Sequence, residues 1–408
     1  MTSKALVGAA GLLLLLAGCG SKGDATTETS TGTLTLGASI SLTGSLAREG
    51  ILTKEGYDLC VNVVNSKGGV PVGNQKLKLE IKYQDDTSKA DTAGQIVDQF
   101  NDQGVKLILG PYGSSTTAAA AVVVERNNQV MADSSGADDA IFNKGYKRTF
   151  AVLSPATAYA SSMLLALNEL ANPKPKTIAF VSADDGFSKT VTAGATAKAQ
   201  ELGLTVVATE YVPNGTSDVL SALTKIKPKN PDVILGSVHL AEGVAIVKQS
   251  AELGVKPPGG FAETVAPPTP DFVQTLGKAA EGVIGSTQWT LKTAGSDKWF
   301  GGAADYAKTF AAQFGGREVE YHGAEATAAC LALVLAVEKA ASTEPNAVRE
   351  SLAALDQPSF FGPIKFTANG QNLTKTMGVI QIQNGKPVSV WPKEAAEAPL
   401  KWPGTAAA

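Results

Sequence analysis

The 408-residue chain carries few side chains suited to covalent or metal chemistry. It has two histidines, His239 and His322, and neither belongs to an HExxH, CxxC or similar cluster, so zinc chemistry is unsupported. Its polar chemistry sits in Gly-, Ser- and Asp-rich stretches where short apolar runs end: GPYGSS from Gly110, SSGAD from Ser134 and ADDGFS from Ala183. Hydroxyls and uncovered backbone N–H groups at such places can hold an anion at the positive end of a helix. Ser114 and Ser115 can do this while one of them also caps the helix, a task that needs a single hydroxyl. No GxSxG elbow, SxxK pair or strand followed by GxGxxG is present, which sets aside an exported α/β hydrolase and a dinucleotide-dependent dehydrogenase. Binding without catalysis or cofactor is the chemistry these residues support.

The elements that must position these stretches alternate from residue 33 onward, the signature of α/β architecture. Strands are expected at 33–41, 77–84, 106–109 and 130–133, with helices at 52–66, 86–101 and 116–127 between them. A second series follows 148–154: strands at 177–182, 205–211, 232–236 and near Gly260, and helices at 189–202, 218–226 and 242–253. Two successive series imply two sheets, since one sheet of that many strands would be unusually wide. The chain also exceeds the ~250–300 residues at which single cores stop growing, so two lobes are expected. Residues 282–288 should return the chain toward the first lobe, followed by helices at 305–314 and 324–341 and a β-rich pair over 366–382 with a turn at Asn384 and Gly385. From Pro392 the sequence reads as a frayed tail.

At the N-terminus Lys4 precedes an apolar run, 5–17, that is too short to span a bilayer and ends in Leu16, Ala17, Gly18 and Cys19. This resembles the leader and lipobox of bacterial lipoproteins, which implies cleavage before Cys19, lipidation of its thiol and anchoring to a membrane, with 20–33 as a polar tether. The protein is then expected outside the cytoplasm, in a periplasm or on a cell surface. Net charge is −3 with both signs interspersed, which offers no basic face for nucleic acid. Cys60 and Cys330 remain, both in helical apolar patterns. An exported protein permits their pairing, and buried free thiols are the expectation.

Five segments, in order, carry a family resemblance: SLTGSLAREG from Ser41, GPYGSSTTAA from Gly110, MADSSGADDAIF from Met131, VSADDGFSKT from Val181, and SDVLSALTKIKPKNPDVIL from Ser217 running into AELG at Ala251. They resemble the type I periplasmic binding proteins of ABC importers, in particular the leucine/isoleucine/valine-binding branch. The resemblance implies an α/β fold of two doubly wound parallel-sheet lobes joined by a three-strand hinge. Lobe 1 would comprise 33–152 plus 288–364, and lobe 2 would comprise 153–287 plus 365–391, with 392–408 as tail. It implies a monomeric receptor that closes on a small solute, an amino acid or similar zwitterion, and presents it to a permease. A solute sensor, or a binder of amides, urea-like compounds or aromatic acids, is the alternative.

The resemblance also implies site residues. Ser114, with Ser115, matches the serine that takes the ligand carboxylate, and Ser135, Gly136 and Ala137 match the neighbouring loop. Relatives often carry threonine where Ala137 stands. Glu263 matches the acid that pairs with a ligand amino group, and Phe187 matches an aromatic cover. His239 stands where leucine-binding relatives carry tyrosine, and Glu49, beside Arg48, stands where they carry an aromatic ring. Both changes make the pocket more polar and put strict specificity for Leu, Ile and Val in doubt. Tyr112 and Tyr159 are further wall residues, while Trp289 is expected in core or rim.

Overall fold

The computed structural model describes residues 32–403. The apolar leader, Cys19, the tether up to residue 31 and the last five residues lie outside them. Strand β1 (Thr33–Ile40) shows the period of two that a buried sheet requires. Leu34, Leu36, Ala38 and Ile40 face one core, while Gly37 lies against Phe100 on the other face, where a Cβ would come within 2.7 Å of the ring. The elements α1 (Ala47–Ser66), β2 (Val70–Val72), β3 (Gln75–Asp85), α2 (Ala90–Asp102), β4 (Leu107–Leu109), α3 (Ser114–Arg126), β5 (Val130–Asp133), α4 (Asp139–Phe142) and β6 (Thr149–Ala151) follow. They complete a six-stranded sheet ordered β2-β3-β1-β4-β5-β6, parallel except where β2 meets β3.

The chain then builds a second layer from α5 (Ala156–Leu170), β7 (Thr177–Ala183), α6 (Gly186–Glu201), β8 (Thr205–Val212), α7 (Leu220–Ile226), β9 (Val233–Ser237), α8 (Leu240–Leu253), β10 (Phe261–Glu263), α9 (Pro270–Leu276) and β11 (Ile284–Thr287). It returns to the first body through β12 (Ser296–Asp297), β13 (Gly301–Gly302), α10 (Ala303–Gln313), α11 (Tyr321–Ala340), α12 (Pro345–Ala353), β14 (Asp356–Ser359) and β15 (Gly362–Lys365). Finally β16 (Gly378–Gln383) and β17 (Lys386–Trp391) join the second sheet, ordered β17-β16-β11-β10-β9-β7-β8. Its pairs are parallel from β8 to β11 and antiparallel at β16 and β17. The fold is α/β with two parallel-dominated sheets, as expected.

Helix α5 has no counterpart among the expected elements, and its Met163, Leu164 and Leu167 join the core where it packs on α6 and β11. Helix α2 starts four residues later than expected. Asp85 and Asp86 accept backbone N–H groups from Leu42, Thr43, Thr87 and Ser88, holding 87 and 88 at positive φ and out of a helix. The tail is not frayed over its described part: Gln381 exchanges hydrogen bonds with the Lys401 backbone at 2.9 and 3.0 Å, and the Trp402 indole donates to Pro173 O at 2.8 Å.

Three crossings connect the two bodies, and hydrogen bonds tie them to one another. Ser154 N donates to Gln288 Oε1 at 3.1 Å, and Ser154 Oγ donates to Lys375 O at 2.8 Å. The Lys375 ammonium donates to Gln288 O and lies 4.4 Å from the centre of the Phe361 ring. Asn372 Nδ2 donates to Val152 O at 3.0 Å and Pro363 O at 2.7 Å. Burial pulls the Lys375 amine down to about 7, against the opposing pull of Glu325.

The expectation of free thiols is corrected. Cys60 on α1 and Cys330 on α11 form a disulfide with Cα atoms 6.3 Å apart. Their helices meet closely because Gly56 has no side chain: a Cβ there would lie 2.2 Å from Gly323 O. No single helix among the described residues is long and apolar enough to cross a membrane, and α11 is apolar all round because nearly all of it is core. The bridge closes a separation of 270 residues, so the Cys60→Ala/Cys330→Ala double variant is expected to lose about 2–4 kcal/mol of stability. Urea melts check this, and an unchanged midpoint would contradict it.

Candidate ligand-binding site

In parallel sheets each crossover helix begins beyond the carboxyl end of a strand, and the two sets of strand ends face one another here. Between them lies a narrow pocket of about 10 Å3 lined by Tyr112, Gly113, Ser114, Ser135, Tyr321 and Glu325 from the first body. Tyr159, Phe187, His239 and Val265 line it from the second. That volume is room for about one water, so a solute of amino-acid size enters only when the two bodies part. A groove of about 470 Å3 runs outside it along α10 and β17 and shares Tyr321, but it does not lie between the strand ends.

Four helix N-termini converge on the pocket, and three receive a carboxylate. Asp185 caps α6, accepting from Ser188 N at 2.8 Å. Glu320 caps α11, accepting from Gly323 N at 2.8 Å. Helix α8 receives Glu49 from the opposite body, whose Oε1 accepts from Leu240 N at 3.3 Å. Helix α3 starts after Gly113, held at φ +92°, with no side-chain cap. Its positive end is thus the one left for an anion.

Ser114 opens α3. Its Oγ accepts from Asp138 N at 3.0 Å, which leaves the hydroxyl hydrogen free to donate into the pocket. Ser135 is engaged within the protein, donating to Pro111 O at 3.1 Å and accepting from Gly113 N at 3.3 Å, so it shapes the loop. Gly136 and Ala137 lie behind the wall: Gly136 N donates to the Asp133 carboxylate, and a Cβ at Gly136 would come within 2.4 Å of Thr117. Burial pushes the Asp133 carboxyl up to about 7, with the Thr117 hydroxyl and the Gly136 and Ser135 N–H groups pulling it down. Ser115 points to solvent and takes no part in the lining.

Glu49 and Arg48 do not form a ligand wall either. Glu49 reaches α8, and Arg48 Nε pairs with Asp271 Oδ2 on α9 at 2.5 Å. With Thr190 Oγ1 donating to Asp138 Oδ1 at 2.7 Å, these are contacts from one body to the other. Glu263 is fully buried outside the lining, below the first turn of α8, where a Cβ at Gly243 would lie 2.5 Å from its Oε2. Both its oxygens lack a partner, and burial, reinforced by Glu242, holds its carboxyl well above the usual carboxylate range.

The walls are mostly aromatic. Tyr159 meets Phe187 edge-on at 5.1 Å between ring centres, Phe187 lies 5.5 Å from His239, and Tyr321 stacks on His322 at 4.0 Å. Tyr321 and Glu325 were missed from the sequence; a lone acid in the first turns of an otherwise apolar helix was the signal for Glu325. Trp289 is core, with its indole donating to Phe360 O at 2.9 Å. No group of three or more metal-ligating side chains occurs among the described residues.

His239 Nε2 lies 3.3 Å from Asp185 Oδ2. Burial pulls the imidazole pKa down, but the Asp185 hydrogen bond and charge, helped by Glu242 and Glu49, overcome it and raise it to about 9 from 6.5. The pair therefore stabilises the fold fully below pH ~6.5, and that contribution fades as pH rises through 9. With only two histidines, NMR should find one titrating near 9, returning to 6.5 or below in Asp185→Asn. A His239 resonance unmoved by that change would contradict the pairing.

The family described as periplasmic binding protein matches residues 33–387. The Leu/Ile/Val-binding protein homolog 8 of Brucella abortus is 26% identical over 377 residues, covering 88% of this chain and 91% of that protein. The crystal structure of the branched-chain amino acid transporter substrate binding protein LivJ from Streptococcus pneumoniae, in complex with isoleucine, superposes with a TM-score of 0.75 at 22% identity, over 87% of this chain and 97% of that one. The solute binding protein of an ABC transporter from R. palustris, in complex with benzoate, gives a TM-score of 0.75 at 17% identity, over 90% and 98%. With a family match across most of its length and this fold, the chain belongs to the periplasmic binding proteins.

Proposed function

We propose that this protein is the extracytoplasmic solute receptor of an ABC importer, taking an amino acid, branched-chain or related, between its two lobes and delivering it to membrane permease subunits. The observation that carries this reading is the uncapped N-terminus of α3 with the Ser114 hydroxyl, inside a small pocket closed by aromatic rings from the opposite body. A ligand carboxylate there gains charge-assisted hydrogen bonds in a dry site. Relatives named for Leu, Ile and Val, and a neighbour holding isoleucine, support the ligand class.

The same reading takes residues 33–152 plus 288–364 and 153–287 plus 365–391 as rigid lobes that turn about the three crossings. Cys19 would tether the monomer to the membrane through lipid. The reaction is reversible binding, and no chemical step is needed. An aromatic acid is the second reading, favoured by the ring-rich wall and by the neighbour that holds benzoate.

Thermal-shift measurements on purified protein test the first reading. A saturating cognate amino acid at 100 times its Kd should add about 2.7 kcal/mol to stability. NMR of the solute should show no turnover. Ser114→Ala is expected to weaken binding by about 1–3 kcal/mol, because a charged ligand oxygen loses its donor. Stabilisation by benzoate and by none of the amino acids would replace the first reading with the second.

A further inference from the structure

We infer that Glu325, on α11 of the lobe that also carries Ser114, takes the ammonium group of the bound zwitterion, so that one lobe holds both charged ends of the ligand and the other closes over it. This rests on the functional reading above and departs from the resemblance, which assigned the ammonium to Glu263 across the cleft.

Three buried acids lie near the cleft with unpartnered oxygens, Glu242, Glu263 and Glu325, and their positions separate them: Glu242 accepts from Gly215 N through its other oxygen and lies outside the lining. Glu325 lines the pocket, is 1% exposed, and its Oε2 has no hydrogen-bond partner. Glu263 is sealed below α8, outside the lining. A buried carboxyl with a vacant acceptor is costly unless something arrives to bond it, and the pocket supplies that route. Burial, with Glu320 and Asp133 adding and Lys375 opposing, holds the Glu325 carboxyl well above its ordinary range, and a ligand ammonium is the charge that would offset this.

The rings beside it suit the same group. Tyr112, Tyr159 and Tyr321 share the lining with Glu325, and aromatic faces attract ammonium ions. The carboxylate end has its own site on the same lobe at Ser114 and the uncapped start of α3. The second lobe adds Phe187, Val265 and the His239 ring, whose buried Nδ1 is a further unpartnered polar atom. Capture would then begin on one lobe, with closure following.

The test uses whichever of the twenty standard L-amino acids gives the largest thermal shift, together with its deaminated carboxylic acid; for leucine this is 4-methylpentanoate. Glu325→Gln should weaken the amino acid by about 10- to 100-fold while changing the deaminated acid by less than about 3-fold. Glu263→Gln should leave both within about 3-fold. Loss of amino-acid affinity in Glu263→Gln with none in Glu325→Gln overturns the inference and leaves the functional reading standing. No shift from any amino acid overturns both. Should Glu325→Gln fail to fold, a crystal structure of the unaltered complex decides: ligand nitrogen within hydrogen-bond distance of Glu325 supports the inference, and nitrogen against Glu263 overturns it.

Discussion

Parallel strand order makes every crossover helix start at the same edge of its sheet, and in this chain two such edges are set against each other. The consequence is electrostatic. Helices α3, α6 and α8 all aim their positive ends into one gap, and α11 adds a fourth. Bare, these ends would repel one another's partial charge; carboxylates from Asp185, Glu320 and Glu49 balance three of them. The start of α3, at Ser114, is left without a carboxylate, and no Lys or Arg lies in the lining.

The contacts between the two bodies are modest singly. The Arg48–Asp271 pair is about one-third exposed on each side, which places it among ion pairs that contribute ~0–1 kcal/mol. The Glu49 and Thr190 hydrogen bonds add a little each. They do not act alone: one buried apolar cluster runs through both bodies, with Ala137, Ile141 and Phe142 of the first and Tyr159, Phe187 and Val265 of the second among its members. The permanent connection is made at the three crossings, where Ser154, Gln288 and Lys375 bond to each other out of water.

Much of this was legible in the residues. Short apolar runs ending in GPYGSS and DDGFS announce strand ends that open helices, and those two motifs brought Tyr112, Ser114 and Phe187 to the pocket. What stayed hidden depends on long-range geometry. Cys60 and Cys330 pair because Gly56 lets two helices touch, and no local pattern carries that distance. Arg48 and Glu49 read as pocket residues until their partners on α9 and α8 are seen. Glu263 sits at a strand end as its motif demands, yet its side chain turns below α8 instead of into the cleft. Helix α11 is buried on every side, so its apolar pattern has no period to mark Tyr321 and Glu325 as wall residues.

The receptor proposed above requires one body to turn on the other about the three crossings, as hinge-closing binding proteins do. Small-angle scattering of the protein with and without a saturating stabilising amino acid tests that claim most directly. A clamp gives a smaller radius of gyration in the bound sample, with the free protein populating a more open form. Superimposable curves, together with tight binding measured on the same sample, would contradict it.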